Sequence, residues 1–147
     1  MRPDVEIAVS PILRRRLRDL GAAAYPAEAC GVLLGRAGSA DPGTPTEVVE
    51  IVPLTNRSAA PETSSRLDPA ELEPHLRRGD LVGFFHSHPH GRAGFSARDA
   101  REAWPAYWYL VVGAGPGGRG RLTAWRTGRR GRLTTGPVPA EPAEEVR

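Results

Sequence analysis

A mixed α/β (α+β) single domain, with a curved mixed sheet packed between helices, is the fold class that this sequence predicts, and three observations predict it. Short apolar runs of strand character recur along the chain, capped helical stretches separate them, and no internal repeat, second compositional block or heptad pattern intervenes. At 147 residues the chain has the length of one domain with a core of moderate size.

Each element has its own signal. Val5–Val9 alternates apolar with small or polar residues and reads as a first strand. Ser10 and Pro11 then supply a helix cap and a first-turn proline. Leu13, Leu17, Leu20 and Ala24 share one helical face, while Arg14, Arg15, Arg16 and Arg18 fall largely elsewhere and read as a solvated face, with docking of an acidic partner as the lesser reading. Pro26 stops this helix, and Glu28 stands before the strand-like run Cys30–Gly35. Arg36–Thr46 is rich in turn residues, Glu47–Leu54 is a strand that pairs back as a hairpin, and Asn56–Leu67 is a polar surface loop bordering a cleft. Asp68, Pro69 and Glu71 mark a helix start as cap, first-turn proline and capping-box glutamate, Leu72 and Leu76 share its face, and Gly79 ends it.

The apolar run from Leu81 to Phe85 is a strand. Ser96 opens a helix that runs to Trp104 before Pro105, and Tyr107–Val112 is a central strand covered on both faces. The glycines from Gly113 to Gly120 lack a strand-to-helix setting and a Gly-Lys-Ser/Thr ending, so they form a turn and not a phosphate loop. Leu122–Arg126 and Arg132–Thr134 are terminal strands joined by a turn around Gly128 and Gly131. The order is β-α-β-β-α-β-α-β-β-β. It gives a domain over residues 1–135 and a proline-rich, acidic, disordered tail over 136–147.

The chemistry concentrates in LVGFFHSHPHGRAGFSARD, from Leu81 to Asp99. Side chains two apart on a strand point the same way, so His86 and His88 aim both imidazoles at one point where Pro89 ends the ladder. Asp99 adds a carboxylate from the first turn of the next helix. Two imidazoles and a carboxylate are a three-ligand set that leaves a fourth position for water, as in catalytic zinc sites. Plainer readings stand beside this one: Ser96 with Asp99 is a helix cap in its own right, and an isolated histidine at a strand end is usually just solvated. His90 extends the run to H-x-H-x-H, as in nucleotide hydrolases with alternating histidines, but that pattern wants apolar residues where Ser87 and Pro89 stand. Cupins follow H-x-H with a glutamate a few residues on, and none is present. Cys30, beside a glycine on a buried strand, reads as a small core residue and not a nucleophile.

Composition narrows the partners. All 20 basic residues are arginine, as a GC-rich coding sequence favours, so a pI of 9.7 and a net charge of +3 say little about nucleic acid. Binding to nucleic acid through these arginines, with a steep salt dependence, is a minor alternative. One cysteine excludes an internal disulfide framework, and neither a signal pattern nor a membrane-length apolar run is present. The expectation is a cytoplasmic protein without membrane contact.

The run His86-Ser87-His88-Pro89, then Ser96 and Asp99, with Glu28 far upstream in Pro26-Ala27-Glu28-Ala29-Cys30-Gly31, resembles the JAMM (MPN-plus) metalloprotease family. The resemblance spans about Val5 to Leu133 and fills every ligand-type position. It implies the MPN fold, related to the cytidine deaminases. It implies that His86, His88 and Asp99 bind Zn2+, that Glu28 is the general base acting on the metal-bound water, and that Ser96 holds that water or the oxyanion. Asn56 stands where an asparagine is common in the family, and turn formation explains it equally well. The implied activity is that of a zinc peptidase or isopeptidase, deubiquitinase-like, cutting the amide bond after the Gly-Gly tail of a ubiquitin-like protein. The long insertions of eukaryotic relatives are lacking, which points to a small sulfur-carrier protein as substrate. A non-catalytic MPN scaffold that binds partner proteins is the alternative. Self-association as a homodimer is left open, as are the roles of His90 and of the arginine-rich first helix.

Overall fold

Two antiparallel pairings of one buried strand set the frame. β2 (Cys30–Arg36) lies between β3 (Thr46–Leu54) and β4 (Leu81–His88), with Leu33 opposite Ile51 on one side and Gly83 on the other. In the computed structural model, which describes residues 6–38, 44–89, 94–115, 120–127 and 129–135, the sheet continues from β4 in parallel to β5 (Trp108–Gly113). It then runs antiparallel through β6 (Leu122–Arg126) to β7 (Arg129–Thr134). The short β1 (Glu6–Ala8) pairs in parallel with both β7 and β3, so the curvature expected of the sheet closes it into a barrel of order β1-β3-β2-β4-β5-β6-β7. With the helices α1 (Pro11–Ala24), α2 (Pro69–Arg78) and α3 (Ala97–Glu102), the element order is the one that the sequence predicts. The expected tail, residues 136–147, lies outside the described residues, as do His90 and Gly128.

Alternation along the strands divides the apolar residues between two cores. Ile7, Leu17, Leu33, Ile51, Phe85 and Trp108 fill the inside, closed by α1. Val32, Leu34, Leu72, Leu81 and Phe84 fill the opposite face, beneath α2. Gly83 lets β5 approach β4, because a Cβ there would stand 2.3 Å from the Trp108 carbonyl oxygen. Each fully buried large side chain contributes on the order of 1.5–3 kcal/mol.

The structure corrects five local expectations, the first being the last strand, which starts at Arg129 and not at Arg132, so that Gly131 pairs with Ala124 instead of turning the chain. Three of the arginines of α1 are not simply solvated: Arg14 donates to the carbonyls of Val9 and Thr134, Arg16 to Ile51 and Arg18 to Gly120, while Arg15 is exposed as expected. The Arg14 acceptors lie at the seam of β1 and β7, that of Arg16 in β3 and that of Arg18 ahead of β6, so these long, forked donors fasten the helix to the barrel at three places. Glu71 makes no capping box; Asp68 alone caps α2, and Glu71 binds the Thr55 backbone N–H and hydroxyl at 3.1 and 3.0 Å. α3 ends at Glu102 and not at Trp104, whose ring instead packs edge-on against Phe84 at 5.6 Å. The strand expected over Tyr107–Val112 is shifted by one residue. Among the described residues, no helix is long and apolar enough to cross a membrane.

Candidate metal centre

The site forms at the carboxyl end of β4, where the parallel pairing with β5 runs out and the chain crosses over through α3. The alternation that puts Phe84 on the outer core puts His86 and His88 on the same side, with their Nε2 atoms 3.1 Å apart. Ser87 between them points the other way and is fully buried. α3 delivers the third group: Ser96 accepts from the Asp99 N–H at 3.0 Å, and the Asp99 carboxylate accepts from the Ser96 N–H at 2.9 Å, a reciprocal capping box. That same Asp99 oxygen, Oδ2, lies 3.2 Å from His86 Nε2 and 3.3 Å from His88 Nε2. The cap and the three-group reading of Ser96–Asp99 are therefore both true, since the cap is what turns the carboxylate towards the imidazoles.

These separations suit a metal. Ligands about 2.0–2.1 Å from a tetrahedral zinc stand about 3.3 Å from one another, and the three edges here are 3.1, 3.2 and 3.3 Å. Two imidazoles with a carboxylate are also the donor set of an open zinc site.

Glu28 reaches the same cleft from two residues ahead of β2. It is buried, and that burial pushes its carboxyl above the ordinary value; the nearby His86 and His88 and a hydrogen bond from Ser65 pull it down in part, while Asp99 pushes it up. Asp99 behaves oppositely. Burial would raise it too, but hydrogen bonds from His86 and His88 hold it well below the usual carboxylate range. Two carboxylates in one cleft with their affinities for protons driven apart is the pattern of a base beside a fixed anion. A hollow of about 210 Å³ is lined by Glu28, Ser65, His88, Ser96 and Asp99. Ser96 is exposed there, and its hydroxyl, already accepting from Asp99, keeps its own proton to donate. A second hollow of about 460 Å³ runs from His86 and Asp99 past Phe84, Phe95 and Tyr109 towards α2.

The five site residues expected from the sequence, Glu28, His86, His88, Ser96 and Asp99, thus gather at one place. Asn56 stands beside it as a brace: its amide donates to the carbonyls of Glu28 and Ser64, and its Oδ1 accepts from the N–H groups of Ser58 and Arg66. Cys30 is spent in packing, with its thiol pushed up to about 12 by burial and by Glu28 and Glu71. Sequence reasoning missed Ser65, one of three serines in the loop Asn56–Leu67, and Ser87, which stands between the two histidines.

Comparison with known proteins agrees with this fold. Residues 10–128 match the model of the prokaryotic homologues of the JAB domain. The chain is 42% identical over 106 residues to the desampylase of Haloferax volcanii, covering 68% of this chain and 70% of that protein. A solution structure from Desulfitobacterium hafniense superposes with a TM-score of 0.70 at 27% identity, covering 86% of this chain and 90% of that one. The JAB1/MPN domain protein of Archaeoglobus fulgidus shares the fold, with a TM-score of 0.55 at 15% identity over 88% of this chain and 96% of that one.

Proposed function

Because this chain belongs to the prokaryotic homologues of the JAB domain, JAMM-type hydrolases in fold and class, we propose that it is a zinc-dependent peptidase or isopeptidase. Its substrate is the amide bond that follows the C-terminal Gly-Gly tail of a ubiquitin-like or sulfur-carrier protein. The observation that carries the reading is the triangle of His86, His88 and Asp99 donor atoms, all within 4.8 Å of one another, beside a buried Glu28 whose carboxyl is raised. His86, His88 and Asp99 would hold the ion. What zinc supplies in such a set is Lewis acidity, which makes water acidic near neutral pH and polarises a carbonyl.

The chain's own residues do the rest. Glu28, desolvated and within electrostatic reach of both imidazoles, takes the proton of the attacking water and passes it to the nitrogen that leaves. Ser96 donates its free hydroxyl proton towards the carbonyl oxygen, the kind of contact worth about 3 kcal/mol elsewhere. The hollow lined by Phe84, Phe95 and Tyr109 ends at His86 and Asp99 and offers room for the tail of the partner protein. The ubiquitin-like substrate class is supported by the desampylase relative, and a cytoplasmic location by a lone, buried Cys30.

Metal analysis of the purified protein, joined to cleavage of a fusion between a ubiquitin-like protein and a reporter, tests the proposal. The expected result is about one zinc per chain and cleavage after Gly-Gly by wild type but not by Glu28→Ala. Full metal with no cleavage of any such fusion would mark a scaffold that binds partners, and cleavage by Glu28→Ala at the wild-type rate would remove the base from the mechanism.

A further inference from the structure

We propose that Ser87, the residue between the two histidines, is a positioning residue that fixes where Glu28 stands by locking the main chain beside it; this rests on the base role proposed above for Glu28. The Ser87 hydroxyl accepts from the Ala29 N–H at 2.7 Å, and the Ser87 N–H donates to the Ala29 carbonyl at 2.9 Å. The β2–β4 ladder therefore reaches one residue beyond Cys30, with a side-chain oxygen serving as acceptor.

Because strand side chains alternate, this hydroxyl lies on the opposite face from His86 and His88, against α1. Gly21 makes the space, since a Cβ there would stand 3.3 Å from the Ser87 Cβ and 3.1 Å from that of Ala114. Packing alone would be served as well by alanine. What alanine cannot supply is an acceptor for the Ala29 N–H.

The neighbouring residue is tied from the other side. Glu28 donates its N–H to the Pro61 carbonyl at 2.7 Å, and its carbonyl accepts from the Asn56 amide at 3.1 Å. Every main-chain polar group of Glu28 and Ala29 thus has a fixed partner, and Ser87 provides the pair that leads to the strand bearing the imidazoles. The base and the metal ligands are held in one frame although they come from distant parts of the sequence. Loss of the Ser87 hydroxyl lets the chain at Glu28 shift while His86, His88 and Asp99 keep their places, and small misplacements of a reacting group carry large rate penalties.

Ser87→Ala, Ser87→Thr, Asn56→Ala and Glu28→Ala are compared by kcat and KM on the ubiquitin-like fusion, by metal content, and by amide hydrogen exchange at Ala29. For Ser87→Ala the expected result is full metal, KM within about twofold, kcat lower by about tenfold or more, and a faster-exchanging Ala29 amide. Ser87→Thr, which keeps the hydroxyl, restores most of kcat and the slow exchange. Should Ser87→Ala not fold, Asn56→Ala loosens the same segment from the loop side and shows the same split between kcat and KM. Wild-type kcat in Ser87→Ala, a loss of metal that parallels the loss of activity, or failure of threonine to restore Ala29 protection would each overturn the positioning role. An inactive Glu28→Ala beside a fully active Ser87→Ala defeats this inference alone, whereas an active Glu28→Ala defeats the functional reading beneath it.

Discussion

Asp99 Oδ2 stands 3.2 Å from His86 Nε2, so the first turn of α3 is docked onto the end of β4 through the site itself. A ligand bound at this junction ties two elements together, and metal binding should therefore stabilise the fold. With free zinc about a hundredfold above its Kd the native state gains about 2.7 kcal/mol, enough to raise Tm by about 5–10 °C in a domain of this size. Thermal melts with zinc and with a chelator check this. Asp99→Ala is expected to melt at one temperature under both conditions, because it removes one of the three proposed ligands, and below wild type, because it removes half of the Ser96 capping box.

Thr46 and Trp108 form a polar contact in the inner core. The indole N–H donates to the Thr46 hydroxyl at 3.2 Å, which also accepts from the Gly38 N–H at 2.9 Å. Thr46→Val keeps shape but leaves a buried indole donor without an acceptor, costing about 1–3 kcal/mol. Denaturant titration should show that loss in the midpoint with an unchanged slope, and Thr46→Ser should recover most of it.

The sequence disclosed the element order and the clustering of the two histidines because both follow from local rules. Caps, prolines and period-two alternation name the elements, and alternation alone puts His86 and His88 on one face. What it withheld depends on distant contacts. Closure of the barrel rests on three residues of β1 meeting two partners, and nothing in Glu6–Ala8 encodes that double pairing. Arg14, Arg16 and Arg18 looked solvated because charge on a helix face usually is, yet carbonyls from Thr134, Gly120 and Ile51 lie within their reach. Ser65 and Ser87 are ordinary polar residues until the fold brings Glu28 and Ala29 to them.

Cys30 should be inert in the folded protein. Its thiol is buried and pushed up to about 12, so the thiolate population near neutral pH is negligible. A thiol reagent at pH 8 is expected to leave the native chain unlabelled and to label one thiol per chain in denaturant. Cys30→Ala should cleave the fusion with kcat close to that of wild type, which separates metal-assisted hydrolysis from thiol chemistry; loss of activity without loss of metal would count against that assignment.

Glu28 links activity to an expense in stability. Its folded carboxyl is raised above the ordinary 4.5 by burial, so the folded state holds the proton more tightly than the unfolded chain does. Its contribution is fully present below about pH 4.5, where both states are protonated, and is lost as pH rises through the raised folded value. At neutral pH the ionised side chain is thus a net burden on the metal-free fold. Glu28→Gln, measured with chelator, should melt higher than wild type near pH 7 and lose that advantage near pH 4. The same substitution should lower kcat by about 10²–10⁴-fold, the range for a general base. A Glu28→Gln variant that is less stable than wild type at neutral pH would show that the carboxylate is anchored by its neighbours more strongly than burial opposes it.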